Sequence, residues 1–582
     1  MTKKNDVYRV PKNNREVFVD PPVDRIQELV QSNRKKILEY RGEIAGIPFQ
    51  ELRDKIRSDI VYWAAGYTEK VESLHRKGQP AQYSSHEDGS QKNLLWKGMP
   101  DKPWSKGKIP DYPSIKDITI IQTGHEPILY YPGIWIKNHL AYHLSKKLHG
   151  IGVNMIVDND ACNMGFLYMP VLSETLASVQ KVLFVEDDKQ KTAYEEIVFH
   201  DIKTILQFKE DVLLLFRKNT VCQNLGKPIE DMQAAFERFM NTLEEYYYQG
   251  CTDMVTLLTA ARRTLEKDFC MNNLEIPVSR MCDTDGFYYF LLHIFHNADR
   301  FIKIYNDTLI EYRRIHKIRS RANPLPDMKI EGNFIEVPFW IWKAGGRRRR
   351  CFVVHEKESI KVTDGSNILV TLKKGKEIIQ NVSELRALAD TGMKIRPRAI
   401  TITMFSRIFF SDIFIHGIGG AKYDMITDEI IRKFFGIDHP AFVTISATLF
   451  LPFDLSESDT EDLQRLRNNL RRMTYSPERY APAELQNSAE FRQRVEEKQT
   501  LLKMMAKGNK DDKRRYFQRI RELNTVMVNQ IRDELLRRQW EVNTMRNHLK
   551  RNEVIKFREY PIYIYPKRIL REYFLNLFSS GA

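Results

Sequence analysis

The chain has no pair of cysteines close enough to suggest a zinc or redox site. Its six, Cys162, Cys222, Cys251, Cys270, Cys282 and Cys351, are scattered singly with no Cys-x-x-Cys motif, so they read as reduced thiols of a cytosolic protein rather than a disulfide scaffold. Long hydrophobic runs are missing too. The longest nearly apolar stretch, Ala441 to Phe453, carries Thr444, Ser446 and Thr448 and is too short to span a bilayer. The polar start Met1-Thr2-Lys3-Lys4-Asn5-Asp6 has no apolar run behind it of the kind a secretory signal needs. No membrane association and a cytoplasmic location are the expectations. No internal repeat is visible.

Acidic charge is in deficit. The 91 Lys and Arg against 76 Asp and Glu leave a net charge of +15, which suits an anionic partner. Many of the basic residues belong to a C-terminal helical stretch whose charged faces are ordinary solvated surface, so nucleic acid is not the expected partner. A chain of 582 residues is too long for one core and implies several structural units.

Asp24 to Tyr40 and Phe49 to Leu74 have helical spacing of apolar residues, and residues 1–115 read as a helical region followed by a linker. The linker, His75 to Ser114, is polar and broken by glycines and prolines. Ile118 to Ile121 is strand-like; a Gly/Pro turn, a helix from about Ile134 to Leu148 and a strand from Val153 to Val157 follow. Strand, turn, helix, strand is the pattern of a βαβ crossover in a parallel sheet. Residues 116–228 are therefore expected to form the first half of a Rossmann-like α/β core, with Val179 to Val185 as a possible third strand.

Residues 229–327 read as a helical insertion and 328–398 as a small β subdomain with strands over Asn333 to Trp342 and Cys351 to Val354. Residues 399–455 return to strand and helix as the second half of the core: a strand Ile408 to Ile415, a glycine turn, a helix Asp424 to Phe435 and a strand Phe442 to Phe450. Residues 456–552 begin with the capping-box pattern Ser458-Asp459-Thr460-Glu461. Two long helical stretches then flank Gly508-Asn509-Lys510-Asp511, the second with an apolar stripe through Phe517, Ile520, Met527, Ile531, Leu535, Val542, Met545 and Leu549. An antiparallel coiled coil that pairs two copies in a homodimer is the reading. Residues 553–582 are expected to add a strand, Tyr560 to Tyr565, and a helix, Ile569 to Phe578.

Three groups of residues can carry chemistry. Thr123-Gly124-His125-Glu126-Pro127 follows a strand and precedes a helix, where backbone amides and the helix dipole favour an anion. His125 can hydrogen-bond a phosphate or shuttle a proton, with Lys137 and Asn138 on the helix behind it; otherwise this is a tight turn whose histidine caps the helix. His416-Gly417-Ile418-Gly419-Gly420 repeats the arrangement, with Lys422 and Asp424 as phosphate partner and polar anchor, or as a turn and N-cap. Asp158-Asn159-Asp160 ends the second strand and can orient an amine or hold Mg²⁺, though Asx turns use the same residues. His293 and His296 sit among aromatics and read as packing. Arg347 to Arg350 read as a solvated hairpin tip before a phosphate clamp.

These residues bear a family resemblance. Thr123-Gly124-His125-Glu126-Pro127 with the helix after it is similar to the Thr-Gly-Gln-Gln turn of the bacillithiol-synthase, or cysteine-adding enzyme, family. Asp158-Asn159-Asp160 matches that family's acidic strand end in position, and Ile415-His416-Gly417-Ile418-Gly419-Gly420 resembles its late glycine turn. His125-Glu126 stands where the family has paired glutamines.

The resemblance implies a ligase-like or transferase-like enzyme that joins an amino-acid carboxylate to an amine, with an amino sugar as the acceptor type, and a dimer through the coiled coil. It implies catalytic roles for His125, Asp158 and Asp160, and substrate or phosphate contacts from Thr123, Gly124, Lys137, Asn138, His416, Gly417, Gly419, Gly420, Lys422 and Asp424, with no metal. A nucleotide, ATP or ADP, is the donor it leaves open. Gly124-His125 also loosely resembles the Gly-His turn of nucleotidyl transferases. An anion-binding coiled-coil adaptor without catalysis is the other reading.

Overall fold

The computed structural model describes residues 8–77, 115–173, 177–185, 191–220, 226–375, 378–575 and 577–578. The linker read over His75 to Ser114 lies, from residue 78 onward, outside the described residues. The fold is mixed α/β. Its main sheet has six strands: β1 (Val17–Asp20), β2 (Ile120–His125), β3 (Ile151–Ile156), β4 (Leu274–Pro277), β5 (Ile413–His416) and β6 (Phe442–Ala447). They lie in the order β1-β6-β5-β2-β3-β4. Every pair is parallel except β1 with β6.

Such a sheet needs both faces covered, and the polar residues its strands carry are buried with side-chain partners: Gln122 donates to Ser406, Thr123 to the Ile415 carbonyl and Asn154 to Glu275. Neighbouring residues go to opposite sides: Ile121, Ile413 and Ile415 join one apolar cluster, and Ile120 and Phe414 the other, as the two-residue period of a strand requires. The first cluster is covered by helix α2 (Pro132–Lys147) and α3 (Met254–Lys267). The second is covered by α1 (Phe49–Lys77), by α4 (Ile418–Ile430) and by a second, antiparallel sheet of six strands between Ile330 and Pro397. Among the described residues no helix is long and apolar enough to cross a membrane.

Several elements differ from the sequence reading. β2 runs to His125, because Gly124 and His125 continue the ladder opposite Met155 and Ile156; the turn is therefore Glu126 to Tyr131, not the Thr-Gly-His triplet. The stretch Ile408 to Ile415 is half helical, a π-turn over Ser406–Phe410 before β5. An all-apolar buried segment has no period to tell the two apart. Ala177–Leu183 forms a hairpin with Phe166–Leu172 outside the main sheet. β4 interrupts the stretch read as mostly helical, and β1 was hidden in the helical N-terminal region.

Tyr560 to Tyr565 is not a strand: Pro561 and Pro566 bracket a 3-10 turn over Ile562–Ile564. The C-terminal helices are Thr460–Tyr475, Ala489–Lys507, Lys510–Gln530 and Arg532–Lys556. Asp459, not Ser458, caps the first of them. The second stretch of the expected hairpin breaks at Ile531, and Phe517 of the expected stripe is 61% exposed.

Candidate functional site

β2, β3 and β4 follow one another outward on one side of β2, whereas β5 and β6 lie on its other side. The winding therefore reverses between β2 and β5, and open parallel sheets bind ligands beyond the carboxyl ends of the strands at such a point. The register fixes what meets there. Ile415 is level with Thr123, and His125 with Ile156, so His416-Gly417, Gly124-His125 and the segment Val157 to Asp160 leave the sheet side by side.

At the centre of this edge is Glu126. Burial and then the charge of Asp160 push its carboxyl up to about 7, opposed by a hydrogen bond from Tyr194 and by Arg348. Asp160 accepts from Arg348 at 2.9 Å, and Arg348 also donates to the Asn159 carbonyl at 3.0 Å. The guanidinium of Arg348 lies over the Trp340 ring at 5.1 Å, which fixes its fork. Tyr423, from α4, is held protonated by burial and by the charges of Asp424, Glu126 and Asp160, which raise it to about 12. Two carboxyls, two phenols and one anchored arginine thus converge from five separate stretches of chain.

Behind Glu126, Lys137 donates to the Gly124 carbonyl at 2.6 Å. Burial lowers this ammonium to about 7, and Glu126 partly opposes the shift. Burial, helped by Lys137, pushes His125 down to about 3, so its imidazole is neutral at physiological pH and serves as a hydrogen-bonding group. Gly124 passes so close to β3 that a Cβ would sit 3.0 Å from the Met155 carbonyl oxygen.

The other expected residues separate. Thr123 is fully buried and donates to the Ile415 carbonyl at 3.1 Å, tying β2 to β5. Asn138 donates to Glu266 at 2.9 Å inside a buried ion-pair network. Asp158 is buried against Ser279, whose backbone N–H it accepts at 2.9 Å; burial and Glu195 raise it to about 7, with Arg396 opposing. It thus belongs to a cluster apart from Asp160. His416 places Nε2 2.9 Å from Asp424, which also accepts from Thr403 at 2.8 Å and from Arg407. Against the penalty of burial, Arg407 and His416 hold the Asp424 carboxyl well below the usual carboxylate range.

Gly420 lets the first turn of α4 rest on the imidazole: a Cβ there would come 2.8 Å from His416 Nδ1. Gly417 is the N-cap of α4 and has no side chain to cap it; Gly417 and Gly419 face open space. Lys422 lines a separate cavity. Among the described residues no group of three or more His, Cys, Asp or Glu is arranged to hold a metal, and His293 packs against Phe434 and Phe435.

Sequence reasoning gave Glu126 no role, took Arg348 for part of a hairpin tip, and passed over Tyr194 and Tyr423. The signals were weak. Glu126 lay inside the quoted turn, and the Gly345-Gly346 pair before the arginines marked a tight approach, but the partners are tens to hundreds of residues away. No protein-family model matches this chain, and no curated protein does either.

Proposed function

We propose that the protein is a ligase-like or transferase-like enzyme of the cysteine-adding kind, which joins an amino-acid carboxylate to an amine at the crevice between β2 and β5 of a Rossmann-like sheet. The observation that carries this reading is the pairing of Glu126 and Asp160 beside Arg348 at the point where the sheet's winding reverses. Amide formation needs an uncharged amine. Glu126, poised near neutrality, takes the proton of the incoming ammonium, while Asp160 and the Tyr423 hydroxyl orient it. Arg348 holds a carboxylate or phosphate in its fork, and the uncapped N–H groups at the start of α4 receive a second anionic oxygen. Neutral His125 donates a hydrogen bond, and Lys137 fixes the Gly124 carbonyl behind it. The carboxyl must arrive activated, and a nucleotide, ATP or ADP, would supply the leaving group when bound.

The test is thermal denaturation of the full chain against amino acids, amino sugars, ATP and ADP. A substrate at a hundredfold excess over its Kd should add about 2.7 kcal/mol of stability. Arg348→Met and Glu126→Gln should each abolish that gain. If no compound in these classes stabilises the wild type, or the two variants respond as it does, the assignment is wrong.

We further propose that the C-terminal helices form a coiled-coil hairpin through which two copies pair. Leu536 and Trp540, one helical turn apart, are 51% and 68% exposed, an apolar ridge that a second copy would cover. Light scattering should give twice the 68.7 kDa chain mass, and Trp540→Glu should give the single mass. A wild-type monomer would refute the pairing.

A further inference from the structure

A cavity of about 550 Å³ opens beside the end of β6. Five of its nine lining residues are cations, Arg9, Lys12, Lys422, Lys556 and Arg558, and none is acidic. They come from three distant parts of the chain, so folding has gathered like charges at one place. Among the described residues none of the five forms an ion pair within the protein. Such a gathering opposes folding unless an anion offsets it.

Two parts of the lining are anchored, and Arg9, Lys12, Lys422 and Lys556 stand exposed around them. The N-terminal segment of the cavity is pinned through Thr448, whose hydroxyl donates to the Pro11 carbonyl at 2.7 Å and whose own carbonyl accepts from Arg15 at 2.8 Å. Arg558 is seated by bonds to the Ser446 hydroxyl at 2.8 Å and the Ala447 carbonyl at 3.0 Å. Its seat requires a glycine at position 133, where a Cβ would come 2.5 Å from the guanidinium. Its buried Nε has no partner.

We infer that this cavity is a binding site for a linear oligophosphate. A single phosphate carries about two charges near neutral pH, with a second pKa near 6, and would engage only part of the lining. Five cations distributed around this volume match an anion whose charges are spread along a chain, with Nη1 of Arg558, the guanidinium nitrogen not engaged by Ser446 and Ala447, as a charged donor to a phosphate oxygen. The site shares no residue with Glu126, Asp160 or Arg348, and it stands whether or not the crevice forms amides.

Titration calorimetry of the full chain with inorganic triphosphate is the test. Saturable binding that weakens as salt is raised is expected, with inorganic phosphate at least tenfold weaker. The double variant Lys422→Glu/Lys556→Glu should weaken triphosphate binding at least tenfold, and Lys422→Gln/Lys556→Gln does the same duty if charge reversal prevents folding. Lys503→Glu/Lys510→Glu, which changes net charge equally on the C-terminal helices, should leave binding intact, as should Arg348→Met. ATP, titrated into Arg348→Met so that the crevice contributes nothing, separates the sources: tighter binding than triphosphate, lost in the lysine variants, assigns the phosphate chain of a nucleotide, equal binding a free oligophosphate, and either supports the site. Undiminished binding in both lysine variants overturns it, as does an equal loss in the Lys503/Lys510 control or in Arg348→Met.

Discussion

An Arg262→Met variant should lose about 3–5 kcal/mol of stability, the usual cost of removing one partner from a buried ion pair. Arg262 is 3% exposed, and it donates to both oxygens of Glu266, at 2.7 and 2.8 Å, and to Glu275 at 2.7 Å. Glu266 and Glu275 are buried to 1% and 0% exposure. Without the guanidinium they face each other with Arg263, 3.5 Å from Glu275, as the remaining cation beside them among the described residues. The network also ties elements together: Glu275 lies on β4, Arg262 and Glu266 on α3, and Trp135 and Asn138 of α2 donate to Glu266 at 3.0 and 2.9 Å.

The loss should therefore appear first as early opening of β4 and α3, seen by amide exchange, and as a lower midpoint in urea. Adding Glu266→Gln and Glu275→Gln to Arg262→Met should restore part of the stability, because the stranded charges are then gone. A single variant that unfolds where the wild type does would show that water reaches the network.

This network also shows where sequence reading stops. The β2–α2–β3 unit and the β5–α4–β6 unit were legible because apolar strands, Gly/Pro turns and a helical period follow one another locally. β4 was not: it is four residues long and holds Glu275 in its middle, a charge that belongs in a buried strand only because Arg262 and Arg263 pack over it. The same limit governs the site. Gly124-His125 and His416-Gly417 were marked as strand ends; Gly124-His125 closes β2 itself rather than forming the turn, and the register puts it beside His416-Gly417. That His416 would be bound to Asp424 depended on Arg407, an arginine inside an apolar helix that nothing local marks as a partner. Arg348 looked like its three neighbours until Asp160 and Trp340 singled it out, and Glu126 gains its raised pKa from groups that only the tertiary fold brings near it.

The pH dependence of stability should have two limbs of opposite sign, separable by Lys137→Met and Glu126→Gln. The ammonium of Lys137 is lowered from 10.5 to about 7, so between those values the folded chain binds fewer protons than the unfolded one and stability rises with pH. The carboxyl of Glu126 is raised from 4.5 to about 7, so over that window the folded chain binds more protons; its contribution is full below 4.5 and is lost as pH rises through 7. A tenfold change in proton affinity on folding corresponds to about 1.36 kcal/mol, which limits the two contributions to roughly 5 kcal/mol for Lys137 and roughly 3 for Glu126.

Lys137→Met should accordingly exceed the wild type in stability most below pH 7 and lose that advantage towards pH 10, less a constant ~1 kcal/mol for the lost bond to Gly124. Glu126→Gln should gain on the wild type between pH 4.5 and 7 and hold the gain above it. Because the Glu126 charge supports the Lys137 ammonium, Glu126→Gln should also move the onset of the lysine limb to lower pH. Parallel pH profiles for the two variants would mean that neither group titrates inside the fold, and the proton-taking role given to Glu126 would fall with them.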